Sequence, residues 1–312
     1  MTTVRTVLGD VDPARLGTCD AHDHLFFRSP ALPGQELTDP AAAAAELRAF
    51  AAAGGGSVVQ WSPVGTDRRA DALIRLSRRT GVQVIAATGL HQAAHTDPAV
   101  LDRVRGRLTE LFVAELTEGI RAGDDPDAAP LPARAGLIKV AGDFHALSAH
   151  ARASMTAAAE AHHATGAPIA VHHEAGTAAP EVLDLLCGRL GVPADRVVLG
   201  HLNRCPDLRM QRDVAASGAY LAFDGPSRAQ QATDWRLLDT LTELAAAGHA
   251  RQLLVGGDTT TAAARASTGG GPGMPFLLRV LRPRIEHALG AAVTADIFVA
   301  NPARAYAVDW RR

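Results

Sequence analysis

Residues 166–201 read GAPIAVHHEAGTAAPEVLDLLCGRLGVPADRVVLGH, and both short apolar runs in this stretch end on a histidine. The first, Pro168 to Val171, stops at His172; the second, Val197 to Gly200, stops at His201. Between them, Val182, Leu183, Leu185, Leu186 and Leu190 recur at helical spacing. Strand, helix and strand in this compass is the βα repeat of a parallel sheet. Within the first run the larger Ile169 and Val171 should face surrounding helices, and Ala170 and His172 the opposite side. His172 is therefore the reactive histidine of the pair, and His173 is a packed or loop-bound one.

The same rhythm extends in both directions. Apolar runs fall at 17–25, 57–62, 82–88, 136–141, 168–173, 196–201, 219–224 and 252–258, and helical segments at 40–53, 70–79, 100–122, 149–164, 179–190, 230–248 and 274–289. This predicts an α/β fold, a (β/α)8 TIM barrel filling 1–312 as a single domain, since roughly 250 residues suffice for such a barrel. The alanine-rich helices keep Leu, Phe or Glu at turn spacing, and the Gly- and Pro-rich stretches 123–132 and 268–275 are the expected long loops.

Composition narrows the partners. Lys and Arg (31) balance Asp and Glu (33), and no basic run interleaves with aromatics, so nucleic acid is excluded and a small-molecule substrate expected. No stretch of about 18 apolar residues suggests a membrane span. Cys19, Cys187 and Cys205 form no CxxC pair, and residues 1–10 lack the apolar core of a signal peptide, so the cytoplasm is expected.

The chemistry lies in where ionisable residues fall. His22, His24, Lys139, His172, His201 and Asp258 each end a predicted strand, on the face where such barrels build active sites. His22 and His24 share one face of a strand and suit a chelated cation, although two hydrogen-bonded strand histidines would read the same way. Asp20 and Asp23 are assigned to the turn or to fixing the imidazole tautomers. Asp258 follows the apolar run LLVGG, and a carboxylate buried there needs a partner, which a cation supplies. Lys139, in AGLIKV, is rarely the residue for a buried position unless paired. As a neutral amine it would form a Schiff base; as a carbamate it would bridge two metals. The histidines and Asp258 favour the carbamate, because a Schiff-base site has no use for them.

The blocks DAHDHL (20–25), RAGLIKV (134–140), GAPIAVHHEAGT (166–177), VVLGHLNRCPD (197–207), LLVGGD (253–258) and NPARAYAV (301–308) resemble the phosphotriesterase-like group of the amidohydrolase superfamily, which includes lactonases and organophosphate hydrolases. The resemblance runs nearly end to end. It implies two divalent cations, one at His22, His24 and Asp258, the other at His172 and His201, with carboxylated Lys139 as the bridge. Zinc is the expected metal, while Mn2+, Co2+ and Fe2+ suit the same donors. It also implies a metal-bridging hydroxide as nucleophile, with Asp258 as the general base. A homodimer is expected by analogy with relatives.

Departures from that pattern shape the substrate expectation. Organophosphate-hydrolysing members carry an acidic residue just after the sixth-strand histidine and a histidine after the seventh strand; here Arg204 and Gly225 stand there. In TGLHQ, His91 falls where relatives place Trp or Tyr. The rim residues His91, His95, His145, Arg204, Arg228 and Arg279 are candidates for holding a polar or anionic substrate. The expected reaction is hydrolysis of a carboxylic ester, a sugar lactone or lactone phosphate. A phosphotriesterase is the alternative within the fold, and a Schiff-base aldolase through Lys139 the alternative of another class. His150, His162, His163, His249 and His287 are expected at the surface, Cys19 and Cys205 as small buried thiols, and Trp61 as either pocket wall or barrel plug.

Overall fold

Fully buried parallel strands read as continuous apolar runs, and all eight predicted runs form strands. They are β1 (Thr18–Asp23), β2 (Gly55–Gln60), β3 (Gln83–Gly89), β4 (Leu137–Ala141), β5 (Ile169–His172), β6 (Val197–Gly200), β7 (Tyr220–Asp224) and β8 (Leu253–Gly256). In the computed structural model, which describes residues 2–225 and 231–311, each strand pairs in parallel with the next, giving a (β/α)8 TIM barrel.

Alternation along the strands separates two apolar layers. Ile169 and Val171 pack outward in the layer between sheet and helices. Ala170 faces inward with Cys19, Ala21, Val59, Ile85 and Leu254. Trp61 is fully buried in this inner layer, donates from its indole nitrogen to the Ala21 carbonyl at 3.1 Å, and plugs the barrel. Gly200 makes room for it, since a Cβ there would lie 2.9 Å from the indole ring.

The seam between β8 and β1 closes the wall. The Asp258 N–H donates to the His22 carbonyl at 3.0 Å, and the Gly257 N–H to Asp20 Oδ1 at 3.1 Å. A Cβ on Gly256 would sit 2.4 Å from the His22 oxygen, and one on Gly257 2.2 Å from Asp23 Oδ2. Only glycine lets the two strand ends approach this closely.

Three short strands, Thr3–Thr6, Gly9–Val11 and Ala307–Val308, form an unforeseen antiparallel sheet. With two to four residues each, they are too short to show alternation in the sequence. Val4, Leu16 and Tyr306 from this end join the inner layer, and the Tyr306 hydroxyl donates to the Ala21 carbonyl at 2.9 Å.

Several helical expectations are corrected. The segment 100–122 is two helices, Pro98–Val104 and Leu108–Thr117, separated at Gly106, whose φ is +77°. The segment 230–248 also divides, into Gln231–Asp234 and Leu237–Leu244 followed by a wider turn. A further helix, Leu208–Ala216, joins β6 to β7. His162 is buried, its Nδ1 donating to the Ala167 carbonyl at 2.7 Å, and His150 is half-buried; neither is a plain surface residue. The long loop after β8 is anchored by Glu46, a buried carboxylate accepting from the N–H groups of Ala266, Ser267 and Met274. No helix among the described residues is long and apolar enough to cross a membrane.

Gly257→Ala should lower unfolding stability by about 1–3 kcal/mol, the usual range for forcing extra bulk into a packed site. Chemical denaturation reads this; an unchanged midpoint would mean that the seam does not need the close approach.

Candidate metal centre

Cys19 and Ala21 belong to the inner layer, so unbroken alternation would send His22 outward. It does not, because the register slips: Asp20 lies opposite Val58 but Asp23 lies opposite Gln60. The extra residue is a bulge of the kind that re-aims side chains beside active sites, and it brings His22 and His24 to the mouth of the barrel. There His22 stacks on Trp61, with ring centroids 3.8 Å apart.

Asp258 meets both imidazoles. Its Oδ1 lies 3.3 Å from His22 Nε2 and 3.5 Å from His24 Nε2. Asp258 and His201 both adopt left-handed backbone, at φ +46° and +64°, immediately after Gly257 and Gly200. Non-glycine residues adopt this conformation at a cost of about 1–3 kcal/mol, which is typical of functional sites.

Each remaining imidazole has one nitrogen committed. Ser62 Oγ donates to the Phe26 carbonyl at 2.6 Å, so it accepts from His24 Nδ1 at 2.8 Å and leaves the lone pair on Nε2. His201 donates from Nδ1 to Asp224 Oδ2 at 2.6 Å. His172 approaches Glu174 through Nε2 at 3.3 Å, which leaves Nδ1 available. The His172 and His201 rings are 4.4 Å apart. Carboxylates and hydroxyls behind metal-binding histidines set the tautomer in this way.

Charge balance favours the same use. Burial holds His24 and His172 down to about 4, and His91 and His201 well below the usual imidazole range, so the rings are neutral and able to donate lone pairs at neutral pH. Burial also pulls Lys139 down to about 7. The residue is 1% exposed, and its amine makes no hydrogen bond or ion pair among the described residues. Burial acts to raise Asp258, but Arg204 and the imidazoles outweigh it and keep the carboxyl below the usual carboxylate range. Donor atoms of His22, His24 and Asp258 lie within 4.8 Å of one another, as do those of His22, His201 and Asp224. Neutral imidazoles, ionised carboxylates and an unpaired buried amine suit a cation centre.

The rim residues divide. His91, His95 and Arg204 line the same cavity as the expected ligands. Arg204 reaches across it, its Nε 3.0 Å from Asp224 Oδ2 and its Nη2 paired with Asp258 Oδ2. His145 does not line it: the residue is exposed on a turn with φ +52°. Arg279 is also outside, because Leu277, Leu278 and Leu281 take the buried face of its helix and turn it to solvent. Arg228 lies outside the described residues. Asp20 and Asp23 serve the backbone and not the imidazoles: Asp20 Oδ1 accepts from His22 N, and Asp23 Oδ1 from His24 N and Thr259 N. Cys19 is buried in the lumen, where desolvation pushes its thiol up to about 12.

Sequence reasoning missed Asp224, Ser62 and Glu174. Asp224 ends β7 as Asp258 follows β8, so the strand-end rule that found the others applied to it too. Asp224→Asn should weaken metal binding by about 10–100-fold while leaving the metal count intact, read by competition with a chelator. Unchanged affinity would remove Asp224 from the site, and loss of one whole metal equivalent would make it a ligand.

Known proteins share the sequence pattern and the fold that carry this geometry. The sequence model of the phosphotriesterase family matches residues 2–306. A phospho-furanose lactonase of Mycoplasmopsis synoviae is 28% identical over 99% of this chain and 92% of its own. A lactonase structure from Listeria monocytogenes superposes with a TM-score of 0.87 at 26% identity, covering 97% of this chain and 98% of that one. A mutant organophosphorus hydrolase from Deinococcus radiodurans gives 0.82 at 27%, covering 97% of each. The chain belongs to the phosphotriesterase family.

Proposed function

We propose that the protein hydrolyses a lactone, a sugar lactone or its phosphate, at a site holding two zinc ions. The observation that carries this reading is the convergence of His22, His24, Lys139, His172, His201 and Asp258 on one cavity of about 210 Å3. Drug-sized ligands usually occupy roughly 300–1,000 Å3. A five- or six-membered ring suits the smaller space, and the three arms of a phosphotriester crowd it. The phospho-furanose lactonase among the relatives supports the same substrate class.

His22, His24 and Asp258 would hold one cation and His172 and His201 the other, with carboxylated Lys139 between them. Cations so held lower the pKa of water and polarise a carbonyl. Asp258, ionised at neutral pH, takes the proton of the water whose oxygen adds to the lactone carbonyl carbon. As the bond from that carbon to the ring oxygen breaks, Asp258 delivers the proton to the departing oxygen. The product is a hydroxy acid, with no covalent link to the chain. Arg204 orients Asp258 during the transfer. Arg228 is the proposed contact for an anionic substituent. The free thiols Cys19, Cys187 and Cys205 suit the reducing cytoplasm, where we place the reaction.

A panel of lactones, with and without a phosphate, assayed beside a dialkyl aryl phosphotriester tests this proposal. Lactone turnover should dominate, stop on chelation and return with zinc, and Asp258→Asn should lower kcat by about 10²–10⁴-fold. Faster triester turnover would favour the phosphotriesterase. Chelator-resistant activity with borohydride trapping at Lys139 would return the site to Schiff-base chemistry.

A further inference from the structure

His91 is 5% exposed on the wall of the cavity, just beyond β3. Three contacts hold it. The Gln92 N–H donates to its Nδ1 at 2.7 Å. The His95 ring stacks on it at 4.6 Å and 16°, itself fixed by a 2.8 Å bond between Nδ1 and Ser29 Oγ. The His91 carbonyl accepts from His150 Nε2 at 2.8 Å, which ties the loop to the helix Ala149–Thr165.

With Nδ1 occupied as an acceptor, the neutral ring carries its proton on Nε2. No group among the described residues accepts that proton. An N–H in a cavity wall without a protein acceptor is a site for a ligand oxygen. The choice of imidazole also fits its surroundings. The ring lies 4.8 Å from that of His172, so a lysine or arginine donor would place a positive charge beside bound cations. Neutral imidazole donates without that repulsion.

We propose that His91 is the substrate-recognition donor of this pocket: a neutral imidazole locked as the Nε2–H tautomer, giving one hydrogen bond to the carbonyl oxygen of the bound lactone. The proposal rests on the lactone reading above. It makes the loop after β3 a determinant of substrate choice.

Three variants of the metal-loaded protein separate shape from donation. Glutamine places an N–H near the Nε2 position, asparagine near Nδ1, and phenylalanine keeps only the ring. His91→Phe and His91→Asn should lower lactone kcat/KM by about a hundredfold, while His91→Gln stays within about tenfold of the parent, with metal content unchanged in all three. Equal losses in the three variants, or no loss in His91→Phe, would overturn the assignment.

Long-range ¹H–¹⁵N correlation on protein labelled with ¹⁵N-histidine reads the tautomer directly. Protonated Nε2, with a resonance that moves on adding 2-pyrrolidinone, a ring amide with the same carbonyl acceptor, supports the proposal. A proton on Nδ1, a cation bound at Nε2, or a resonance that ignores the lactam overturns it. Failure of the lactone reading shows separately, as parent protein inert to every lactone while the His91 resonance still responds to the lactam.

Discussion

The approach of β8 to β1 is the constraint on which the rest of the site depends. Two glycines at the end of β8 allow the Asp258 N–H to bond the His22 carbonyl, and the same contact delivers the Asp258 carboxylate between the His22 and His24 rings. Barrel closure and the meeting of these three side chains are thus one event. The bulge in β1 is its counterpart, because without the slip between Asp20 and Asp23 the barrel would close with His22 directed at the helices. The buried carboxyls of Asp20 and Asp23 hold this irregular stretch by accepting N–H groups that a regular ladder would have paired.

Around that seam the electrostatics are set by burial. Imidazoles removed from water are held neutral, an amine is brought to about 7, and the carboxyl at the centre stays ionised because a guanidinium and the rings offset its desolvation. Arg204 is the distinctive member of this arrangement. It spans Asp224 and Asp258.

Most of the barrel was legible because buried parallel strands leave short continuous apolar runs between helical segments. That the six strand-end residues would meet in one cavity was legible because a charged or imidazole side chain closing such a run has few bland explanations. What could not be read has physical reasons. The bulge in β1 depends on pairing with β2, which the local pattern does not encode. Asp224, by contrast, closes β7 as Asp258 follows β8 and could have been read from that strand-end position. The spacing of Leu277, Leu278, Leu281 and Ile285 does show that Arg279 faces away from the core, so that misplacement could have been avoided. His145 could not, since its position follows from a left-handed turn that histidine only occasionally adopts.

Six residues at the ends of β1, β4, β5, β6 and β8 meet in one cavity, and we propose that they hold two cations. Anomalous diffraction at the zinc edge, on crystals of protein purified without chelator, tests it most directly. Two peaks are expected, one among His22, His24 and Asp258 and one beside His172 and His201, with extra density on the Lys139 amine joining them. A zinc-soaked crystal with no peak in this cavity, or with cations held elsewhere and an unmodified Lys139, would contradict it.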